Sequence, residues 1–347
     1  MGDASVDPVA VDLDPLRRRV GLDSILAHER ACGIPWYRRF VTVLVAVLGF
    51  AALMGAALSW SVEAGGPASV VGVFAAAYGV LAAAGFVTYV LGLARRAKLS
   101  AFAWSNDWAY ADRLEHAGRP GSAFARVLRG RESGVVASDD PRLPFELGLH
   151  RSVARDRHEA ATVQRPFAFI ELPLPGRLPH IVLRNRRRGI VPSLGFGINN
   201  ARMELEGDFA SRFIVFAPEG YQQDALYIFT PDVMARVVDL APAAEIELVG
   251  DRLYVYLPAS TRFDRPATMT AVLLAADELH RRFAARAERY RDDRADPGTG
   301  VQIGLRGQRL AGGGVSLLAV AAPVAVLLLA GAVTAFSLFG VPLLAGG

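Results

Sequence analysis

The densest group of chemically capable side chains is Arg184, Arg186, Arg187 and Arg188, flanked by Asn185 and Gly189. Guanidinium forks match the oxygens of phosphates and carboxylates two at a time. Such a cluster, following an apolar run, points to an anion: a lipid headgroup at the inner leaflet or an acidic protein surface. The plain alternative is a solvated loop. Nucleic acid is the weaker reading, because no aromatic side chains interleave with the arginines to stack bases.

Other chemistries find less support. His28, His116, His150, His158, His180 and His280 include no pair at a spacing suited to a shared metal. His158-Glu159 lacks the second histidine of a metalloprotease helix. Glu204, Glu206 and Asp208 put two carboxylates on one expected strand face, usable as acid and base or simply wetted by solvent. Gly195-Phe196-Gly197 reads as a turn, and Val191 stands where a nucleophile elbow needs glycine. Lys98 is the only lysine and Cys32 the only cysteine. Lysine-dependent catalysis in the domain, an internal disulfide and a cysteine metal cluster are therefore excluded. No cofactor and no metal are expected.

The elements that must position these residues start with two apolar runs, 40–60 and 70–94, neither carrying a charge. Each reaches the roughly 20 residues a bilayer-spanning helix requires. The nine residues between them include Gly65, Gly66 and Pro67, so the pair reads as a tight transmembrane hairpin. Arg38 and Arg39 precede it, Arg95, Arg96 and Lys98 follow it, and the loop holds Glu63 without a basic residue. The positive-inside rule then puts both ends in the cytoplasm. Gly72, Ala76, Gly79 and Ala83 form a small-residue face for close helix packing, within the chain or with another copy. The absence of ionisable groups in the spans argues against a transporter. A third uncharged run, 315–338, follows Arg306 and Arg309 and carries the opposite polarity. The organisation expected is a cytoplasmic lead over 1–37, a hairpin over 38–96, a cytoplasmic α+β domain over 97–311, and a third span with a short outside tail over 312–347. The first apolar run is too long for a signal-peptide core and reads as an uncleaved anchor.

Within the lead, 16–32 reads as a short helix with Arg17, Arg18 and Arg19, either a solvated tail or a piece lying on anionic lipid. A helix is expected over 99–114 and a loop over 118–144, with a short strand at 123–128. Strands follow at 145–150, 167–172, 180–183, 201–206 and a buried central one at 212–217. Leu174, Pro175, Gly176 and Pro179 mark a turn. Thr230-Pro231-Asp232 is a helix start. Residues 245–249 and 252–257 alternate on either side of Gly250-Asp251, a hairpin signature. The stretch 266–290 is an amphipathic helix with Val272, Ala276, Leu279, Phe283, Ala287 and Tyr290 inward; Asp277, Arg281, Arg282, Arg286 and Arg289 lie on its other face. The fold class is α+β: a mostly antiparallel sheet packed by helices, between membrane helices.

Phe102-Ala103, Asn106, Tyr110, Phe145-Glu146-Leu147-Gly148, Leu178-Pro179-His180, Leu205-Glu206-Gly207-Asp208-Phe209 and Ala225 through Pro231 carry a resemblance. The stretch 99–257 resembles an uncharacterised bacterial membrane-protein family, the domain of unknown function thirty-one thirty-seven. The stretch 147–150 departs from that pattern. The resemblance implies a bacterial source and membrane attachment, and transfers no catalytic residue. The function expected is therefore a multi-pass inner-membrane protein with a cytoplasmic binding, scaffolding or regulatory domain. The alternatives are a membrane-bound enzyme using carboxylates or histidine, and an accessory subunit of a transporter or channel.

Overall fold

The computed structural model describes residues 11–35, 37, 49–51, 54–55, 59, 68–115, 118–125, 127–155, 161–187, 189–191, 200–205, 207–295, 302–303 and 308. They form an α+β protein with a mostly antiparallel sheet. The chain divides into two compact units. One holds 1–114, 133–148 and 261–274, and the other holds 115–132, 149–260 and 275–347.

The first unit begins with α1 (Asp14–Arg17) and α2 (Leu22–Ala31), and continues through α3 (Ala68–Ser105) to β1 (Ala109–Glu115). The described part of the lead, from residue 11, packs against α3 rather than standing free as a solvated tail. Leu16 and Ile25 are buried, and Ile25 packs with Leu93 and Ala97 of α3. Lys98 Nζ donates to the Leu16 carbonyl at 3.0 Å. Asn106 brackets Asp12, accepting from its backbone N–H at 2.7 Å and donating to its carbonyl at 3.0 Å.

α3 has no proline and runs unbroken through the boundary expected at residue 97. It is long and apolar enough over Ala76–Ser105 to cross a membrane. Its two halves differ. Val80, Leu81, Phe86, Val87 and Leu91 are exposed, whereas Leu93, Ala97, Leu99, Phe102 and Ala103 are buried. The helix expected over 99–114 ends at Ser105. Asn106 Nδ2 donates to the Phe102 carbonyl, Asp107 takes a left-handed φ of 59°, and the Trp108 N–H donates to the Ala103 carbonyl. That closure satisfies the last carbonyls of the helix and turns the chain into β1. Of the first expected span only residues 49–51, 54–55 and 59 are described; the Phe50 ring lies 5.0 Å from that of Tyr78. The third span lies outside the described residues.

A 3₁₀ turn at Ser122–Phe124 leads to β2 (Val127–Ser138), β3 (Phe145–Arg155), β4 (Ala161–Val163), β5 (Phe167–Asn185) and β6 (Asn200–Met203). After α4 (Gly207–Arg212) come β7 (Phe213–Pro218), α5 (Gln222–Ile228), α6 (Pro231–Leu240), β8 (Glu245–Pro258) and α7 (Pro266–Arg289). The sheet order is β1-β2-β3-β5-β7-β6, with β4 on β3 and β8 on β5. The loop expected over 118–144 thus carries β2 through its middle, and the short strand expected at 123–128 is the 3₁₀ turn and the start of β2 instead.

Two further corrections share one cause. The strands expected at 167–172 and 180–183 are one 19-residue strand, and the hairpin expected at Gly250-Asp251 is one continuous strand, β8. β8 runs antiparallel along β5, pairing Phe167 with Pro258 at one end and Leu183 with Ile246 at the other. The register shifts between Pro173 and Leu178, opposite Arg252 and Gly250, so the interruptions in the two strands face each other. The extra residues lie in β5, where 174–177 face Asp251 alone, and Gly250, at φ 57°, lets β8 run on past that bulge rather than reverse. Two alternating arms around Gly-Asp fit either outcome; the partner strand decides.

The helical expectations fare better. All six inward positions named for α7 are buried. Pro231 opens α6, although Thr230 at its N-cap makes no side-chain cap and donates to Asp232 Oδ1 instead. Gly176 is not a turn glycine. A Cβ there would lie 2.4 Å from the backbone carbonyl oxygen of Ala287, so α7 rests directly on the β5 backbone. Gly176→Ala should therefore destabilise the protein by about 1–3 kcal/mol through overpacking. Gly250→Ala should cost about 1–2 kcal/mol through its left-handed φ alone, since its nearest neighbour is 3.7 Å away. Thermal unfolding of the full chain in detergent ranks the two; an unchanged midpoint for Gly176→Ala would contradict the close contact.

Candidate functional site

The arginine turn begins where β5 ends. Asn185 organises it: its Oδ1 accepts from the Arg187 N–H at 2.9 Å, and its Nδ2 donates to the Pro242 carbonyl at 2.8 Å. Arg184 is half-buried, with Nε 3.8 Å from Glu245 Oε1. Arg186 pairs with Glu204 at 2.7 Å. Arg187 is exposed, and Arg188 lies outside the described residues. Of the described arginines of the turn, Arg184 and Arg186 face carboxylates from elsewhere in the chain.

Between β5, β8 and the 3₁₀ turn lies a polar core that the sequence reading missed. The Glu247 carboxylate is fully buried and accepts from the Ser122 N–H and hydroxyl at 2.8 and 2.5 Å and from the Tyr256 hydroxyl at 2.6 Å; His180 Nε2 lies 2.5 Å away. Burial pushes this carboxyl up, but His180, Ser122 and Tyr256 together bring it below its ordinary range. Beside it, Arg119 makes a two-point pair with Glu132, at 2.7 Å for each contact, bonds Glu171, and lies 4.4 Å from the Phe169 ring centroid. Most of its donors and acceptors are matched within it, while both ring nitrogens of His150, whose Nδ1 is 3.8 Å from Glu132, and the Tyr254 hydroxyl are buried without a hydrogen bond. The signal available was Glu245-Ile246-Glu247-Leu248, two acids on one face of an otherwise apolar strand. Such acids need partners when buried.

The remaining candidates disperse. Glu204 is exposed and paired with Arg186 and Arg202, Glu206 is not among the described residues, and Asp208 lies on α4 rather than on the strand. His28 Nδ1 lies 2.8 Å from Ser100 Oγ, and its Nε2 lies 3.6 Å from Asp112, which also faces Arg96 at 3.4 Å. Cys32 sits 3.7 Å from the same ring, and burial pushes its thiol up, away from the reactive thiolate. His280 lies 2.9 Å from the Pro173 carbonyl. Among the described residues no group of three potential metal ligands converges.

A second basic surface does open to solvent. A groove of about 240 Å³ lies between α6 and α7, lined by Asp232, Glu278, Arg281, Arg282, Arg286 and Arg289, with Val233 and Ala285. Arg282 pairs with Glu278 at 2.7 Å and with Asp232 at 2.8 Å. Arg286 donates to Thr230 Oγ1 at 2.9 Å. The periodicity of α7 already put these arginines on its outer face; the approach of α6 makes the face a groove.

No protein-family model matches the chain. No curated protein matches it either. Among solved structures it is similar to that of the mycobacterial trehalose monomycolate transport factor A, at 13% identity and a TM-score of 0.38, over 55% of this chain and 92% of that one. The likeness is too distant to bear on fold or activity.

Glu245 gives the arginine turn a pH dependence. Burial raises its pKa to about 7, against the N–H of Val191 at 2.8 Å and the charge of Arg184, which favour ionisation. The folded protein then holds a proton that the unfolded chain releases near pH 4.5, so this group's contribution to stability falls as pH rises from about 4.5 to 7. Glu245→Gln keeps an acceptor for Val191 and removes the charge. It should stabilise the protein at pH 8 by roughly 2–3 kcal/mol relative to wild type, and much less at pH 5. Unfolding midpoints of the two proteins across this range test it; a difference independent of pH would contradict the assignment.

Proposed function

We propose that this chain is a multi-pass membrane protein whose folded portion, held at the inner leaflet, binds and scaffolds a partner rather than catalysing a reaction. The observation that carries the reading is the split character of α3. One uninterrupted helix exposes Val80, Leu81, Phe86, Val87 and Leu91 and then buries Leu93, Ala97, Leu99 and Phe102 within a folded unit. A long exposed apolar stretch ending in a protein core suits a helix leaving lipid for a domain. The Phe50–Tyr78 ring contact supports a hairpin with the first apolar run. Arg38, Arg39, Arg95, Arg96 and Lys98 on its flanks favour a cytoplasmic placement of both ends, and 315–338 would return the chain to the membrane. Ala76 and Ala83 are exposed, and a Cβ at Gly79 would meet nothing within 4 Å. The face they form with Gly72 suits packing against another helix, in this chain or in a second copy.

The topology can be read by thiol labelling. Because Cys32 is part-buried with a raised thiol pKa, it should stay unlabelled by an impermeant maleimide on intact cells and label only after lysis in denaturant, so the orientation is read from an introduced thiol. In a Cys32→Ser background, Ala64→Cys should label on intact cells. The reverse pattern would overturn the orientation, and release of the protein by alkaline carbonate would overturn the span.

A further inference from the structure

The groove between α6 and α7 has the features of an anion site. Arg282, Arg286 and Arg289 stand at i, i+4 and i+7 on one face of α7, a row about 10 Å long. Two of the three are held in place before any ligand arrives. Arg282 is gripped by Glu278 and Asp232, and Arg286 by Thr230 Oγ1 at 2.9 Å and Asp232 at 3.6 Å. Less side-chain freedom is then lost on binding. The third, Arg289, is exposed and has no ion-pair or hydrogen-bond partner among the described residues. With Arg236 and Arg281, both paired to Glu278, the cations around the groove outnumber the carboxylates. The first turn of α6 also borders it, but Asp232 already occupies that helix end, so the attraction for an anion comes from the arginines.

Size and lining narrow the ligand. At about 240 Å³ the groove is smaller than the sites of about 300–1,000 Å³ that enclose drug-sized ligands. Its apolar lining is limited to Val233 and Ala285, so it offers no pocket for the apolar anchor of a docking peptide. Planar guanidinium forks around a small polar recess suit tetrahedral phosphate oxygens.

We propose that this groove binds a phosphate ester, with Arg286 and Arg289 as the contacting forks and Asp232 and Glu278 as the groups that position Arg282. A phospholipid headgroup and a free phosphorylated small molecule present the same chemistry. The inference stands on unit geometry alone and does not depend on the membrane reading.

The test uses the full chain in a non-ionic detergent at constant ionic strength, titrated with glycerol phosphate, dihexanoyl phosphatidylglycerol and dihexanoyl phosphatidylcholine, with binding read by calorimetry. Glycerol phosphate or the phosphatidylglycerol should bind. Arg289→Gln, which breaks no ion pair or hydrogen bond among the described residues, should weaken that binding roughly tenfold, and Arg286→Gln with Arg289→Gln should abolish it. Arg187→Gln at the other basic turn should leave it unchanged. Tighter binding of the phosphatidylglycerol than of glycerol phosphate, with phosphatidylcholine inert, assigns a lipid headgroup; the opposite order assigns a free phosphorylated molecule. Binding of neither probe overturns the proposal, as does equal binding by the Arg289→Gln protein. Capture of a polyglutamate peptide in the groove, with the phosphate probes inert, also overturns it in favour of an acidic protein partner.

Discussion

β5 has almost no freedom at either edge or either face. β8 lies along one edge from Phe167 to Leu183, β7 takes Val182 to Asn185, and most of the strand is buried, with only Pro175 and Arg177 exposed. A strand so enclosed must have each polar group matched, and it does: Glu171 meets Arg119 and Arg252, His180 meets Glu247, and Asn185 meets the Pro242 carbonyl. Buried pairs of this kind return little net stability against an apolar replacement. Their value lies in register. A one-residue slip of β8 on β5 would turn Glu245 and Glu247 to the opposite face, away from Arg184 and His180. The same enclosure reaches into the arginine turn, where the Arg186 N–H still donates to the Arg212 carbonyl at 2.8 Å, and leaves the bare backbone at Gly176 on which α7 rests.

Features written in local periodicity were legible. The stripe Val272 to Tyr290 specifies one helix face without reference to anything else, and the start at Pro231 is equally local. Features decided by a distant partner were not. Gly250-Asp251 carries the same letters for a hairpin and for a continuous strand, and the choice is made by β5, about 70 residues earlier. Pro175 and Pro179 read as turn markers, yet their missing N–H groups are tolerated where β5 bulges against β8. The strand at 109–115 was hidden because the aromatic spacing of 102–110 also fits a helix, and only the left-handed Asp107 separates the two.

The two arginine clusters show the same limit for function. Arg184 and Arg186 look like an open cationic turn in the sequence, but Glu245 and Glu204 come to them from positions 61 and 18 residues away. Arg286 and Arg289 look like ordinary outward charges of an amphipathic helix. The approach of α6 gives them a recess, and the shared Asp232 holds Arg282 and Arg286 in place. The number of basic residues in a stretch therefore says little about cationic surface until the carboxylates have been placed.

α3 is about 57 Å long at helical rise, and no proline interrupts it. Its apolar upper half and its embedded lower half belong to one hydrogen-bonded rod. On the membrane reading, a change of tilt in the bilayer, from a thicker membrane or a neighbouring helix, has no joint in which to dissipate before it reaches Ile25 and Leu16. Lipid environment would then act on the folded unit as torque through a lever, and the packing of the lead against α3 is where that torque would be felt first.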